Sequence, residues 1–201
     1  MSENEKHNEK MKRLKTSKQK IFAKKTVKKG LIIVHTGTGK GKSTAAFGMV
    51  FRGIAHGMPC AVVQFIKGAM ATGERDLIQH HFPELCEFYT LGDGFTWDTQ
   101  DKEKDIASAK KAWSKAKELI SDEKKKIILL DEINIALRYG YVEIDDVVTF
   151  LLEKKPKMTH VILTGRNANE KLIGIADLVT DMTLVKHHFR NGVMSQAGIE
   201  F

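Results

Sequence analysis

Two hydrophobic patterns alternate along this chain after a start that has neither. Short, nearly continuous apolar runs recur at residues 31–34, 60–66, 127–130 and 160–164. Runs of this length, rich in Val, Ile and Leu, suit strands buried on both faces of a parallel sheet. Between them, apolar side chains return every three or four positions, as at Ala46, Phe47, Met49, Val50 and Ile54, and again at Ile106, Ala109, Trp113, Ala116 and Ile120. Those spacings predict amphipathic helices, the first ending near Gly57 and the second placing Trp113 in the core. Gly73 is expected to open a short helix through His81, residues 87–89 a third strand, and Asp98 or Thr99 to cap the helix that carries Trp113. Further helices are expected over 133–139 and 144–152, a last sheet segment over 177–185, and a hairpin turn at Asn191-Gly192.

Strand and helix in alternation predict an α/β fold of three layers, a mostly parallel sheet flanked by helices and joined by right-handed connections. Ligands of such sheets bind beyond the carboxyl ends of the strands. Here those ends carry residues 37–43, Lys67-Gly68, Asp131-Glu132 and Gly165-Arg166. The sequence shows no internal repeat.

Length and charge narrow the picture. With 201 residues, 42% of them hydrophobic, the chain can build one sizeable core. No apolar run approaches the ~20 residues needed to span a bilayer. The net charge of +8 is unevenly placed: residues 1–30 hold 11 of the 33 Lys/Arg and three of the 25 Asp/Glu, leaving 22 of each sign in the remainder. The excess belongs to the tail and the body is even, which argues against a nucleic-acid-binding surface on the domain and against nucleic acid as a partner. The tail lacks the apolar core of a secretory signal, and Glu3, Glu5 and Glu9 argue against a mitochondrial presequence. It is expected to be disordered over much of its length, with Leu14, Ile21, Phe22 and Val27 able to order against something. Cys60 and Cys86 sit in apolar contexts without partner spacing, as reduced core residues of a cytoplasmic protein do.

The chemistry gathers after the first apolar run. Gly37, Gly39 and Gly41 let backbone N–H groups turn inward around an anion, and the helix that starts at Ser43 and Thr44 adds its unpaired N–H groups. With Thr38 and Lys40 they form a phosphate loop in which Lys42 is a point charge for phosphate and the Ser43 hydroxyl a ligand for Mg²⁺. The loop is one residue shorter than the usual Walker spacing, since Thr36 stands where its first glycine would be, and it contains a second lysine. It therefore predicts phosphate binding more firmly than ordinary γ-phosphate hydrolysis. Asp131 and Glu132, ending an apolar strand, are the expected carboxylates beside the metal. Arg166, at another strand end, serves either phosphate or a surface ion pair, and His187-His188 reads as structural or surface. Phe95 and Trp97, on a Gly-rich loop, belong to no periodic face. No Ser/His/Asp or Cys/His constellation is visible.

The stretches TGTGKGKSTAAFG, VVQFIKG, GERD, GDGFTWDTQ, LLDEIN, ILTGR and the closing VKHHF and SQAGIEF resemble, in this order, the P-loop type of ATP:corrinoid adenosyltransferase. The likeness runs from about residue 30 to residue 201, and the short phosphate loop is shared with that family. It implies a P-loop NTPase-like (recombinase-like) domain over 30–201, behind a basic tail over 1–29 that in the family can close over the corrinoid. It also implies transfer of the 5′-deoxyadenosyl group of ATP to the Co(I) of cobalamin, cobinamide or cobyrinic acid a,c-diamide, with release of triphosphate, in adenosylcobalamin biosynthesis or corrinoid salvage. Lys42, Glu132, Phe95 and Trp97 become the catalytic residues. Residues 37–44 and Arg166 hold the nucleotide, in reverse sense to most P-loop enzymes, and Ser43, Asp131 and Glu132 hold Mg²⁺ or Mn²⁺. Phe95 and Trp97 match the aromatics that displace the lower axial ligand to give four-coordinate Co(II). A cytoplasmic homodimer served by a flavodoxin-type or other reductant is implied as well. The competing readings are a nucleic-acid-dependent ATPase of the recombinase type and a non-catalytic corrinoid carrier.

Overall fold

The computed structural model describes residues 2–66, 72–91 and 101–200. Six strands, β1 (Ile32–Thr36), β2 (Cys60–Gln64), β3 (Cys86–Thr90), β4 (Ile127–Asp131), β5 (His160–Thr164) and β6 (Leu178–Asp181), form one sheet. Its order is β3-β2-β4-β5-β1-β6 and every pairing is parallel. The four apolar runs are the four inner strands, which is why they lack a polar alternation: β1, β2 and β4 are buried at every position.

Strand alternation sends successive side chains to opposite layers. Ile33, Cys60, Val62, Ile127, Leu129 and Ile162 pack under α2 (Lys42–Ala55) and α3 (Gly73–His81), against Phe47, Val50 and Ile78. Ile32, Val34, Ala61, Val63, Ile128, Leu130, Val161 and Leu163 pack on the other face. There they meet α4 (Lys102–Ser121), α5 (Ile133–Arg138), α6 (Ile144–Glu153) and α7 (Glu170–Ile175). Trp113 lies in this second core at 4% exposure, edge-on to Phe150 with ring centroids 5.5 Å apart. Its indole N–H donates to Asp146 Oδ2 at 2.7 Å, so the polar edge of a buried ring is satisfied.

Three local expectations need correction. The tail is not without structure: α1 (Glu3–Ala23) begins with a capping box in which Ser2 and Glu5 exchange side-chain and backbone hydrogen bonds. No residue of α1 is buried, so its helicity comes from capping and propensity rather than packing. The helix bearing Trp113 starts later than expected, with Asp101 as its cap, the Asp101 carboxylate accepting from the Lys104 N–H. Asn191-Gly192 makes no hairpin. Gly192, at φ 77°, instead closes a 3-10 turn over His188–Asn191, a left-handed use of glycine that a hairpin and a helix end share.

Replacing Trp113 with Ala should cost about 3–5 kcal/mol of unfolding free energy, the range for deleting a buried aromatic ring. Chemical denaturation measures it, and a loss under about 1 kcal/mol would show that the ring does not support the core.

Candidate active site

The carboxyl ends of the inner strands present one polar row under the α2 layer. Register pairs Thr90 with Gln64, Gln64 with Asp131, Thr164 with His35 and His35 with Thr180. Hydrogen bonds run along it: Thr90 Oγ1 donates to Gln64 Oε1 at 3.4 Å, Gln64 Nε2 to Asp131 Oδ2 at 3.1 Å, and Thr164 Oγ1 to Asp131 Oδ1 at 2.8 Å. Asp131 is fully buried. It takes a further bond from above, where Ser43 Oγ, in the first turn of α2, donates to Oδ1 at 2.7 Å. A buried carboxylate is tolerable when charge-assisted donors surround it, and these donors fix the hydroxyl expected to meet a metal.

The loop itself bends over the end of β6. Gly37 has φ 99°, and a Cβ there would lie 2.2 Å from Asp181 Oδ1 and 2.5 Å from the Met182 carbonyl, so no other residue fits. Gly39 N–H donates to the Met182 carbonyl at 2.6 Å, which anchors the middle of the loop. Thr38, Lys40 and Thr44 are exposed and Gly41, at φ 100°, turns the chain into α2. Lys42 is buried, and its ammonium donates to the Gly39 carbonyl. Burial is the main influence on it and lowers its pKa, while the charges of Glu132 and Asp181 raise it and those of Arg166 and Lys40 lower it. The charges of four other side chains thus reach Lys42.

Glu132 adopts φ 62°, a left-handed conformation uncommon for such a residue. Its backbone N–H donates to Thr164 Oγ1 at 2.9 Å. Room for it comes from Gly165, at φ 130°, where a Cβ would stand 2.8 Å from Asn134 Cβ and 3.2 Å from Glu132 Oε2. The arrangement can bind a chain of phosphates electrostatically. The donor set, a hydroxyl with two neighbouring carboxylates, is the hard-oxygen kind that Mg²⁺ accepts when waters and phosphates complete its shell.

The family model for ATP:corrinoid adenosyltransferase BtuR/CobO/CobP matches residues 28–201. The chain belongs to this family. A corrinoid adenosyltransferase of Sinorhizobium sp is 67% identical over 195 residues, covering 97% of this chain and 91% of that protein. Those of Pseudomonas aeruginosa and Escherichia coli K12 are 46% and 40% identical over 197 residues, each covering 98% of this chain and 96% and 98% of theirs. Among solved structures, a KaiC-like protein of Pyrococcus horikoshii OT3 aligns with a TM-score of 0.46 at 20% identity, over 79% of this chain and 75% of that one. The family is one of transferase enzymes.

Of the residues singled out from the sequence, the structure brings Lys42, Ser43, Asp131 and Glu132 together, with the glycines of the loop. Arg166 is exposed at the end of β5, yet its charge reaches Lys42, so it stands on the phosphate side of the sheet. Phe95, Trp97 and Lys67-Gly68 lie outside the described residues. Sequence reasoning missed Gln64, Thr164, Asp181 and His35. Gln64 interrupts one apolar run and Thr164 ends another, which was the available signal for these two.

His35 is 3% exposed, and neither ring nitrogen has a hydrogen-bond partner among the described residues. Burial lowers its pKa, as it does that of His160, which accepts the Leu31 N–H on Nδ1. The unfolded chain therefore takes up these protons first, near the ordinary histidine value of about 6.5. Stability should be complete above that pH and fall as pH drops through it toward the lower folded values. Melting temperature should drop more steeply from about pH 7 to about pH 5 in the native chain than in His35→Gln, and parallel curves would assign the acid loss to other groups.

Proposed function

We propose that this enzyme transfers the 5′-deoxyadenosyl group of ATP to the Co(I) of a corrinoid, in adenosylcobalamin biosynthesis or corrinoid salvage. The cobalt electron pair forms the bond to C5′, the C5′–O5′ bond breaks, and O5′ leaves with inorganic triphosphate. The carrying observation is the buried Lys42 inside a contracted glycine loop, with Ser43 pinned by Asp131 beside it. Because the nucleophile arrives with the substrate, the protein's tasks are alignment and stabilisation of the charge that gathers on triphosphate. Lys42, Lys40, the loop amides and the N-terminus of α2 suit the second task. Mg²⁺, held near Ser43 and Glu132, would neutralise part of the same charge. Asp131 serves best through Ser43, since Ser43, Thr164 and Gln64 all donate to it. In keeping with the resemblance, we read the working form as a cytoplasmic homodimer supplied by a flavodoxin-type or other reductant. No helix among the described residues is long and apolar enough to cross a membrane. The recombinase-type alternative lacks support in the even charge of the body.

Lys42→Ala should lower adenosylation about 10²–10³-fold, the usual cost of one preorganised donor at developing charge, with the melting temperature little changed. Triphosphate production from ATP and reduced cobalamin reads it directly. Near-native turnover would remove the loop from the mechanism, and phosphate as the product would favour an ATPase.

Trp97→Ala should leave melting and ATP binding intact while reducing four-coordinate Co(II) and the rate starting from Co(II). The defect should shrink with chemically prepared Co(I), since the hard reduction is then bypassed. An unchanged four-coordinate spectrum would take Trp97 out of corrinoid handling.

A further inference from the structure

The second lysine of the phosphate loop is already engaged. The Lys40 ammonium is ion-paired to the carboxylate of Glu200, 160 residues away and next to last in the chain. On the same Oε1, His188 Nε2 sits at 3.3 Å, and the His187 and His188 rings lie 4.9 Å apart. The Glu200 side chain is only 15% exposed, against 47% for Lys40, so the carboxylate is the shielded partner. The Lys40 hydrogen bond holds the Glu200 carboxyl below its ordinary range. Lys40 in turn is near enough to Lys42 for its charge to lower that lysine's pKa. Glu200 therefore stands at the rim of the loop, on its exposed lysine.

The segment that carries Glu200 is held there lightly. Among the described residues its backbone hydrogen bonds are local, from Arg190 to His187, Gly192 to Phe189, Val193 to His188, and Ile199 and Glu200 to Gln196. Its apolar side chains point to solvent: Val185, Phe189, Met194 and Ile199 are each 70% exposed or more. A segment fastened by charge rather than by packing exchanges partners at small cost.

We propose that Glu200 occupies on Lys40 the place of a phosphate group, so that triphosphate and the Glu200 carboxylate compete for one ammonium. Phosphate binding releases the segment, and its return helps the triphosphate product to leave. Glu200 is then a positioning residue that tunes product release. This rests on the reading of the loop as a triphosphate site, and the test separates the two.

Inorganic tripolyphosphate is titrated calorimetrically, at low salt, into the native chain, Glu200→Gln, Lys40→Ala, the Lys40→Ala/Glu200→Gln double variant, and Lys42→Ala. Removing the competing charge should tighten tripolyphosphate about two- to five-fold in Glu200→Gln, the range for a partly exposed ion pair. The gain should vanish when Lys40→Ala is the background, a coupling that loss of structure alone would not give. Equal or weaker binding in Glu200→Gln, with Lys42→Ala still deficient, overturns the competition and leaves the loop reading in place. Undiminished binding in Lys42→Ala overturns the loop reading itself, and the proposal with it.

Discussion

The site depends on one buried carboxylate. Asp131 has no exposed surface, yet it sits at the end of the central strand β4 under the phosphate loop. An isolated charge there would cost several kcal/mol. It is tolerated because Ser43, Thr164 and Gln64 all donate to it. Those donors come from α2, β5 and β2, so satisfying one charge fixes four elements relative to each other. Thr164 transmits the constraint again, accepting the Glu132 N–H and helping to hold that residue in its left-handed turn. Loss of any one donor would loosen the hydroxyl at the loop and the carboxylate beside it together.

The inner strands and the helices packed on the sheet were readable because their signal is local. Burial on both faces gives continuous apolar runs, and burial of one helix face gives a spacing of three and four. The loop was readable because its glycines and lysines are contiguous. The polar row was not, since Thr90, Gln64, Thr164 and His35 become neighbours only through strand register, which no single segment encodes. Asp181 was hidden for the same reason: its closeness to Gly37 comes from β6 pairing with β1. The tail misled because its composition suits disorder while Ser2 and Glu5 cap a helix that buries nothing.

The two lysines of the loop differ in ways that sequence spacing conceals. Lys42 begins α2, is buried, and turns back to the Gly39 carbonyl. Lys40 is exposed and turns outward to Glu200. Each lysine has an internal oxygen partner that a phosphate oxygen could replace. Under the proposed function, an anion entering the loop would meet cations already placed by these partners.

The cysteines bear on the chemistry from the opposite direction. Cys60 and Cys86 are aligned partners on β2 and β3, buried in the α2-side core. Burial pushes their thiols up to about 11 and about 12, and a thiol that stays protonated is a poor nucleophile and a poor metal ligand. His35 lies buried with its proton affinity lowered. The charged groups that act on Lys42 are Glu132, Asp181, Arg166 and Lys40, and Asp131 and Glu200 bond to Ser43 and Lys40 of the loop. On the proposed reading, such a site holds and releases polyphosphate while the substrate brings the nucleophile. In that proposal a reduced cobalt centre arrives with an electron pair of its own, and the described residues around the loop are left to set charge and position.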